Sequence, residues 1–147
     1  MSDAPARGAI DALYERDLAA QALGIELLDV APGQARVAMT VRADMLNGHG
    51  TCHGGFLFAL ADTAFAYACN SHGVAMVASG AGIEFLAPAA GGERLIAIAR
   101  ETSRSARHGI YDVEVTKASG ESVAHFRARC ARLRVPSSTH SKPGLGA

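Results

Sequence analysis

The segment Gly54–Cys69 constrains the fold more strongly than any other part of the chain. Written as a helix it is apolar almost all round, and its only charged side chain is Asp62. A helix that is apolar on every side must be buried in a globular protein. The segment is also shorter than the ~20 residues that a membrane-spanning helix needs, and it carries a charge near its middle. We therefore predict a buried helix running to about Ser71 rather than a membrane span.

Length and composition favour a single domain. The chain has 147 residues, 49% of them hydrophobic, which is enough for one sizeable core but not for two ordinary domains. We predict one domain over residues 1–135. The tail over residues 136–147 is rich in Ser, Pro and Gly and has too few apolar residues to fold, so we expect it to be disordered.

The charge balance and the cysteine content indicate which binding partners and which cellular compartment to expect. Basic and acidic side chains number 14 each, so no overall field attracts nucleic acid or an anionic membrane. The three cysteines cannot all pair within one chain, and the first residues lack the apolar region of a signal peptide. We expect free thiols in the reducing environment of the cytoplasm.

Periodicity along the chain predicts an α+β fold. Apolar residues at helical spacing indicate an amphipathic first helix over Ile10–Leu23. The last predicted strand alternates polar and apolar residues, which is typical of an antiparallel sheet with one wet face. Six segments have strand-like patterns bounded by turn residues: Ile25–Val30, Ala35–Val41, Val74–Leu86, Arg94–Thr102, Gly109–Lys117 and Ser122–Val135.

Asp62 is the first candidate functional residue. A lone buried carboxylate is costly unless it is paired or used. The same isolation raises the pKa of a carboxyl group toward neutrality and makes the carboxylate a useful base. Composition alone also permits a solvent-facing Asp62, or a structural one bonded to the backbone.

The sequence His53-Gly54-Gly55 opens the same helix. A helix N-terminus presents unpaired N–H groups at the positive end of the helix dipole, and glycines let a ligand carbonyl approach closely. A polarised carbonyl together with a carboxylate is suited to hydrolysing an activated acyl group. Gly54 and Asp62 are eight residues apart, or ~12 Å along a helix that rises 1.5 Å per residue. One chain cannot bring both to one carbon, but two helices packed antiparallel across a two-fold axis can, so such a site requires a dimer.

A specific motif links these features to a known family. Residues 47–55 read Asn-Gly-His-Gly-Thr-Cys-His-Gly-Gly, and residues 60–64 read Leu-Ala-Asp-Thr-Ala. This pattern resembles the signature of hotdog-fold thioesterases of the phenylacetate-degradation type, and the resemblance extends over roughly residues 13–133. It implies an antiparallel sheet wrapped around the long helix, with active sites at a dimer interface and dimers commonly paired into tetramers.

The resemblance also implies roles for individual residues. Asp62 becomes the general base or the nucleophile, and the Gly54 N–H, helped by Gly55, polarises the thioester carbonyl. Asn47 and His53 would position the substrate or water, and Thr63 would support the carboxylate. Whether the carboxylate activates water or forms an anhydride stays open.

The implied substrate is phenylacetyl-CoA or a ring-hydroxylated derivative, with aliphatic acyl groups also open and with no cofactor beyond the CoA of the substrate. Guanidinium groups bind phosphate well, and Arg104 and Arg107 in one short turn make the best pair for the CoA phosphates among the candidates Arg100, Arg104, Arg107 and Arg134. Leu46 and Tyr111, together with Phe65 and Phe85, are candidates for an acyl pocket or for the core.

Three alternatives accompany this interpretation. His49-x-x-Cys52 and Cys69-x-x-His72 fit the spacing of a zinc site, but the helix between them is ~24 Å long at 1.5 Å per residue, so we assign no metal within one subunit. A hydratase or dehydratase on the same fold is one functional rival. A domain that binds acyl-CoA without turning it over is the other.

Overall fold

The computed structural model describes residues 3–134. Two short helices open the chain, a 17-residue helix follows near its middle, and six strands form the rest. In chain order the elements are α1 (Ala4–Glu15), α2 (Leu18–Ala22), β1 (Glu26–Ala31), β2 (Gln34–Thr40), α3 (Gly54–Asn70), β3 (Met76–Phe85), β4 (Arg94–Arg104), β5 (His108–Lys117) and β6 (Ser122–Arg132). No helix within residues 3–134 is long and apolar enough to cross a membrane.

All six strands belong to one antiparallel sheet, in the order β1-β2-β4-β5-β6-β3. Hairpins join β1 to β2, β4 to β5, and β5 to β6. Gly33 lies in the first of these turns with a φ of 76°, in the left-handed region that glycine adopts without strain. The chain enters α3 from β2 and leaves it for β3 at the far edge of the sheet, so the helix crosses one face of the sheet.

The core forms where α3 packs on that face, and contacts run from α3 to every strand. Phe65 is fully buried and meets two rings of the sheet, with centroid distances of 5.7 Å to Tyr111 and 6.1 Å to Phe126. Ala61 and Ala64 are also fully buried, and their small side chains let the strands approach the helix. The buried central helix and the six predicted strands are therefore present, as the resemblance implies.

The N-terminal helix differs from the prediction. One helix over Ile10–Leu23 was wrong: the structure has two helices, and the first begins six residues earlier. α1 starts at Ala4 because the Asp3 carboxylate accepts a hydrogen bond from the Ala6 N–H. The break before α2 comes from Asp17, whose Oδ1 accepts from the Ala20 N–H at 3.1 Å and starts a new helix.

The two edge strands of the sheet differ in their exposure to solvent. The edge strand β1 is covered by α1, from which Arg7 donates to the Leu28 carbonyl at 2.7 Å. On β3, the other edge strand, most residues are exposed, and Val77 and Phe85 expose 46% and 55% of their surface. The predicted end of the last strand at Val135 and the predicted tail over 136–147 lie outside the described residues.

Candidate active site

A loop folded around the Asn47 side chain leads into α3. The Asn47 Oδ1 accepts the backbone N–H groups of His49 at 2.9 Å and Thr51 at 3.2 Å, and the backbone N–H of Asn47 donates to the Thr51 carbonyl. A short polar side chain that bonds backbone groups in this way holds a turn without regular structure. Asn47 therefore shapes the loop that precedes the helix, and it also lines the cleft beside the helix N-terminus.

His53 caps the helix. The ring Nδ1 of His53 accepts the Gly55 N–H at 2.9 Å, and the backbone N–H of His53 donates to the Met45 carbonyl at 2.8 Å. The Gly55 N–H, which the sequence suggested as a second donor to substrate, is thus occupied by the ring of His53. The Gly54 N–H has no acceptor among residues 3–134. It is therefore the free donor at the positive end of the α3 dipole.

An apolar cleft lies beside this free donor. Phe85 forms one wall, and its ring is so near that a β-carbon placed on Gly54 would come within 2.8 Å of Phe85 Cζ. The other lining residues are Asn47, Thr51, Cys52, Leu57, Leu86, Ala87 and Pro88. Leu46 was a candidate for an acyl pocket, but its side chain lies beside Gly91 and is not among the residues that line this cleft. Only Gly fits at position 54 without displacing the ring.

Asp62 lies in a second cleft, on the side of α3 that faces the N-terminal helices. Burial raises the pKa of the Asp62 carboxyl above its ordinary value, and the negative charge of Asp17 raises it further. Thr63 does not bond to Asp62, because its hydroxyl donates to the Ala59 carbonyl at 2.7 Å within the helix. The remaining lining comes from residues 13, 16–17, 65–67, 69–70 and 76–78. Asp62 is therefore a partly buried carboxylate in an open cleft.

The two clefts have no lining residue in common. Gly54 is the first residue of α3 and Asp62 stands at the middle of the helix, eight residues further along. Within one chain the structure therefore does not unite the free N–H and the carboxylate.

Tyr111, another candidate for the acyl pocket, belongs to the core. It is 1% exposed, its ring packs on Phe65, and its hydroxyl donates to Glu101 Oε2 at 2.8 Å. His72 bonds the same Glu101 oxygen at 2.7 Å. This polar cluster ties the end of α3 to β4 and β5 and faces neither cleft.

The two arginines predicted to bind CoA phosphates are exposed, near the turn between β4 and β5. Burial raises the pKa of the Glu101 carboxyl, but the hydrogen bonds with His72 and Tyr111 and the nearby charges of His72 and Arg104 bring it below its ordinary value. Arg107 lines a surface cleft that also contains Arg132 and Arg134 from the end of β6. No carboxylate within residues 3–134 pairs with these three guanidinium groups. Arg132 was missed by the sequence analysis because only the antiparallel register of β5 and β6 brings it beside Arg107.

The cysteines are free thiols. Cys52 and Cys69 lie at opposite ends of α3, so the zinc-like spacing does not assemble a site within one chain. No group of three or more potential metal ligands occurs in the described part of the chain. The Cys69 thiol instead donates to the Ala66 carbonyl at 3.5 Å within the helix, and burial raises the pKa of the Cys69 and Cys130 thiols.

The chain is similar to known proteins over most of its length. A sequence model of the family described as "Thioesterase superfamily" matches residues 49–124. The chain is also 50% identical over 122 residues to the acyl-coenzyme A thioesterase PaaI of Escherichia coli, an alignment that covers 83% of this chain and 87% of PaaI. The chain belongs to the thioesterase superfamily.

Solved structures agree with this membership. The E. coli PaaI protein from the phenylacetic acid degradation operon superposes on this thioesterase with a TM-score of 0.89 at 46% identity, over 91% of this chain and 97% of PaaI. A mutant of the phenylacetic acid degradation protein PaaI from Thermus thermophilus gives 0.77 at 46% identity, over 80% of this chain and 100% of that one. The predicted hotdog fold and the predicted resemblance to PaaI-type thioesterases are confirmed.

Proposed function

We propose that this thioesterase hydrolyses phenylacetyl-CoA, or ring-hydroxylated forms of it, to the free acid and CoA at two equivalent sites between paired subunits. The observation that carries the proposal is the free Gly54 N–H at the start of α3, beside an apolar cleft with an aromatic wall. A carbonyl oxygen placed there would be polarised by the donor and by the helix dipole. The names of the two PaaI relatives support an aromatic acyl group.

Asp62 supplies the second half of the chemistry in this proposal. In one route its carboxylate takes a proton from water while the water oxygen bonds to the thioester carbon. The C–S bond then breaks and the CoA sulfur leaves with a proton. In the other route the Asp62 carboxylate attacks the thioester carbon and the C–S bond breaks as CoA leaves as the thiolate. Water then cleaves the resulting anhydride, which returns the Asp62 carboxylate, releases the acid and supplies the proton that the CoA thiolate takes up. Both routes require the ionised carboxylate, and a raised pKa makes that carboxylate a stronger base.

The exposed edge of β3 supports the pairing of subunits. β3 pairs with β6 on one side, and no described strand lies on the other side of β3. An exposed edge strand is a template for pairing with another chain, and Gly80 and Gly82 have open space around them on β3. Antiparallel pairing of two β3 strands would set two α3 helices antiparallel, so that Gly54 of one subunit approaches Asp62 of the other. Association of such dimers into tetramers remains part of the proposal.

The CoA portion of the substrate fits the three unpaired arginines. Arg107, Arg132 and Arg134 lie in one surface cleft with no carboxylate partner in the described chain. Leu133, between two of them, donates its N–H to the Ala75 carbonyl, next to the β3 residues that line the Asp62 cleft. We therefore place the CoA phosphates in this cleft, with Arg104 on its margin.

The three free thiols fit a cytoplasmic enzyme, which is the location that we propose.

A substrate panel tests this function directly. Release of free CoA thiol should be fastest with phenylacetyl-CoA and hydroxyphenylacetyl-CoA, slower with aliphatic acyl-CoA, and nearly absent for Asp62→Asn. Binding of acyl-CoA without thiol release would indicate a binding module, and addition or loss of water in an enoyl-CoA would indicate a hydratase. Undiminished thiol release by Asp62→Asn would overturn the role of the carboxylate.

A further inference from the structure

Asp17 is held at the junction of α1 and α2 by hydrogen bonds to both carboxylate oxygens. Oδ1 accepts the Ala20 N–H at 3.1 Å, and Oδ2 accepts the Tyr67 hydroxyl at 2.8 Å. Tyr67 belongs to α3, is fully buried, and meets the Tyr14 ring edge-on at a centroid distance of 6.2 Å. Burial raises the pKa of the Tyr67 hydroxyl first, and its bond to Asp17 raises it further, so it stays protonated and donates. The position of the Asp17 carboxylate is therefore determined by the fold.

Asp17 and Asp62 line the same cleft, although 45 residues separate them in the chain. No cation pairs with Asp17 within residues 3–134. Arg16 is the one cationic side chain in the lining, and it makes no ion pair there. Two carboxylates that share a partly buried cleft oppose each other's ionisation. The proton affinity of Asp62 is accordingly raised by burial first and by Asp17 second.

We propose that Asp17 is a positioning residue that acts through Asp62, because its fixed negative charge faces the Asp62 cleft and makes the Asp62 carboxylate a stronger base. This inference rests on the proposed function, in which Asp62 is the base or nucleophile. The titratable groups that line the cleft with Asp62 are Arg16 and Asp17 from the helix junction and Tyr67 and Cys69 from α3, whereas β3 contributes only the uncharged residues 76–78. Among them, Asp17 is the only carboxylate besides Asp62, so its neutralisation should have a specific effect.

Asp17→Asn is the informative substitution. Asparagine keeps the helix cap and the acceptor for the Tyr67 hydroxyl, and removes only the charge. The acid limb of kcat/KM for phenylacetyl-CoA should move to lower pH, because Asp62 then loses its proton more readily. Tyr67→Phe is the matched control: it deletes the hydrogen bond and keeps the Asp17 charge, so its acid limb should not move to lower pH. A lower rate with an unmoved acid limb in Asp17→Asn would show a structural role and overturn the proposal.

A direct titration separates this inference from the proposed function. The Asp62 carboxyl carbon is identified in a carbon-13 NMR spectrum as the signal that Asp62→Asn removes, and is then followed against pH in the wild type and in Asp17→Asn. Its midpoint should be lower in Asp17→Asn. An active Asp62→Asn enzyme would refute the catalytic role of Asp62, while the titration would still report on Asp17. Should Asp17→Asn fail to fold, Asp17→Ser, which also caps a helix without charge, takes its place. Equal midpoints in the wild type and the neutral variant would overturn the proposal.

Discussion

The ring of Phe85, at the end of β3, lies against Gly54, the first residue of α3, so closely that a β-carbon at position 54 would be 2.8 Å from Phe85 Cζ. This contact joins the exposed sheet edge to the helix end that carries the free N–H. The Phe85 ring therefore connects the free Gly54 N–H directly to the edge strand β3.

Gly54→Ala should slow thioester hydrolysis by on the order of 10², which approaches the loss of one oxyanion donor. The backbone N–H remains, but the methyl group must displace the Phe85 ring into the space beside the donor. Steady-state kinetics with phenylacetyl-CoA measures the effect.

Phe85→Ala provides the control for that substitution. In Gly54→Ala/Phe85→Ala the clash is absent, so the double variant should be faster than the product of the two single effects predicts. Strictly multiplicative effects would show that the contact between these residues does not determine the rate.

Asp62→Asn should lower kcat by ~10²–10⁴, the usual contribution of a general base. It should also raise the melting temperature at neutral pH. The folded-state pKa of Asp62 lies above its unfolded value, so stability falls as the pH rises from the unfolded pKa to the folded pKa, and the full cost of ionisation applies above the folded pKa. The gain in the variant should therefore be largest there and vanish as the pH falls below the unfolded value. Calorimetry across that range checks the sign, and a variant less stable than the wild type at neutral pH would contradict it.

The central helix and the strands were predictable because their signals are local. The apolar run around Asp62 and the alternation along β6 each report burial without reference to distant residues. The break between α1 and α2 was not predicted, although the Asp17 cap on the Ala20 N–H is a local signal. The second bond of Asp17, from Tyr67 50 residues away, leaves no trace in the local pattern. The place of Tyr111 was equally hidden, since strand alternation does not tell whether an inward ring meets a ligand or another core ring.

Within the candidate site, the motif around Gly54 and Asp62 was identified from the sequence, but its internal bonding was not. His53 uses its Nδ1 on the Gly55 N–H, which leaves one donor rather than two. Thr63 bonds its own helix rather than the carboxylate. Such choices depend on side-chain rotamers that residue spacing does not determine.

Neutralising the arginines of the surface cleft should weaken CoA binding selectively. Arg132→Gln and Arg134→Gln should each raise KM for phenylacetyl-CoA about 5-fold, or ~1 kcal/mol for an exposed charge. KM for a phenylacetyl thioester of pantetheine, which lacks the nucleotide phosphates, should not change. Arg127→Gln on the same strand is the matched control, because Arg127 already pairs with Asp112 at 2.8 Å. Equal effects on both substrates would place the CoA phosphates elsewhere.

Mixed dimers test whether each site takes half of its groups from each subunit. Gly54→Pro removes the free N–H, and Asp62→Asn removes the carboxylate, so each homodimer should be nearly inactive. In a heterodimer of the two variants, one site combines the intact Gly54 of one subunit with the intact Asp62 of the other. Random reassortment should therefore restore about a quarter of the wild-type sites, since half of the dimers are mixed and each has one intact site. Native mass spectrometry would verify the exchange, and circular dichroism would verify that Gly54→Pro folds. No recovery of thiol release in a mixture shown to contain heterodimers would refute the shared site.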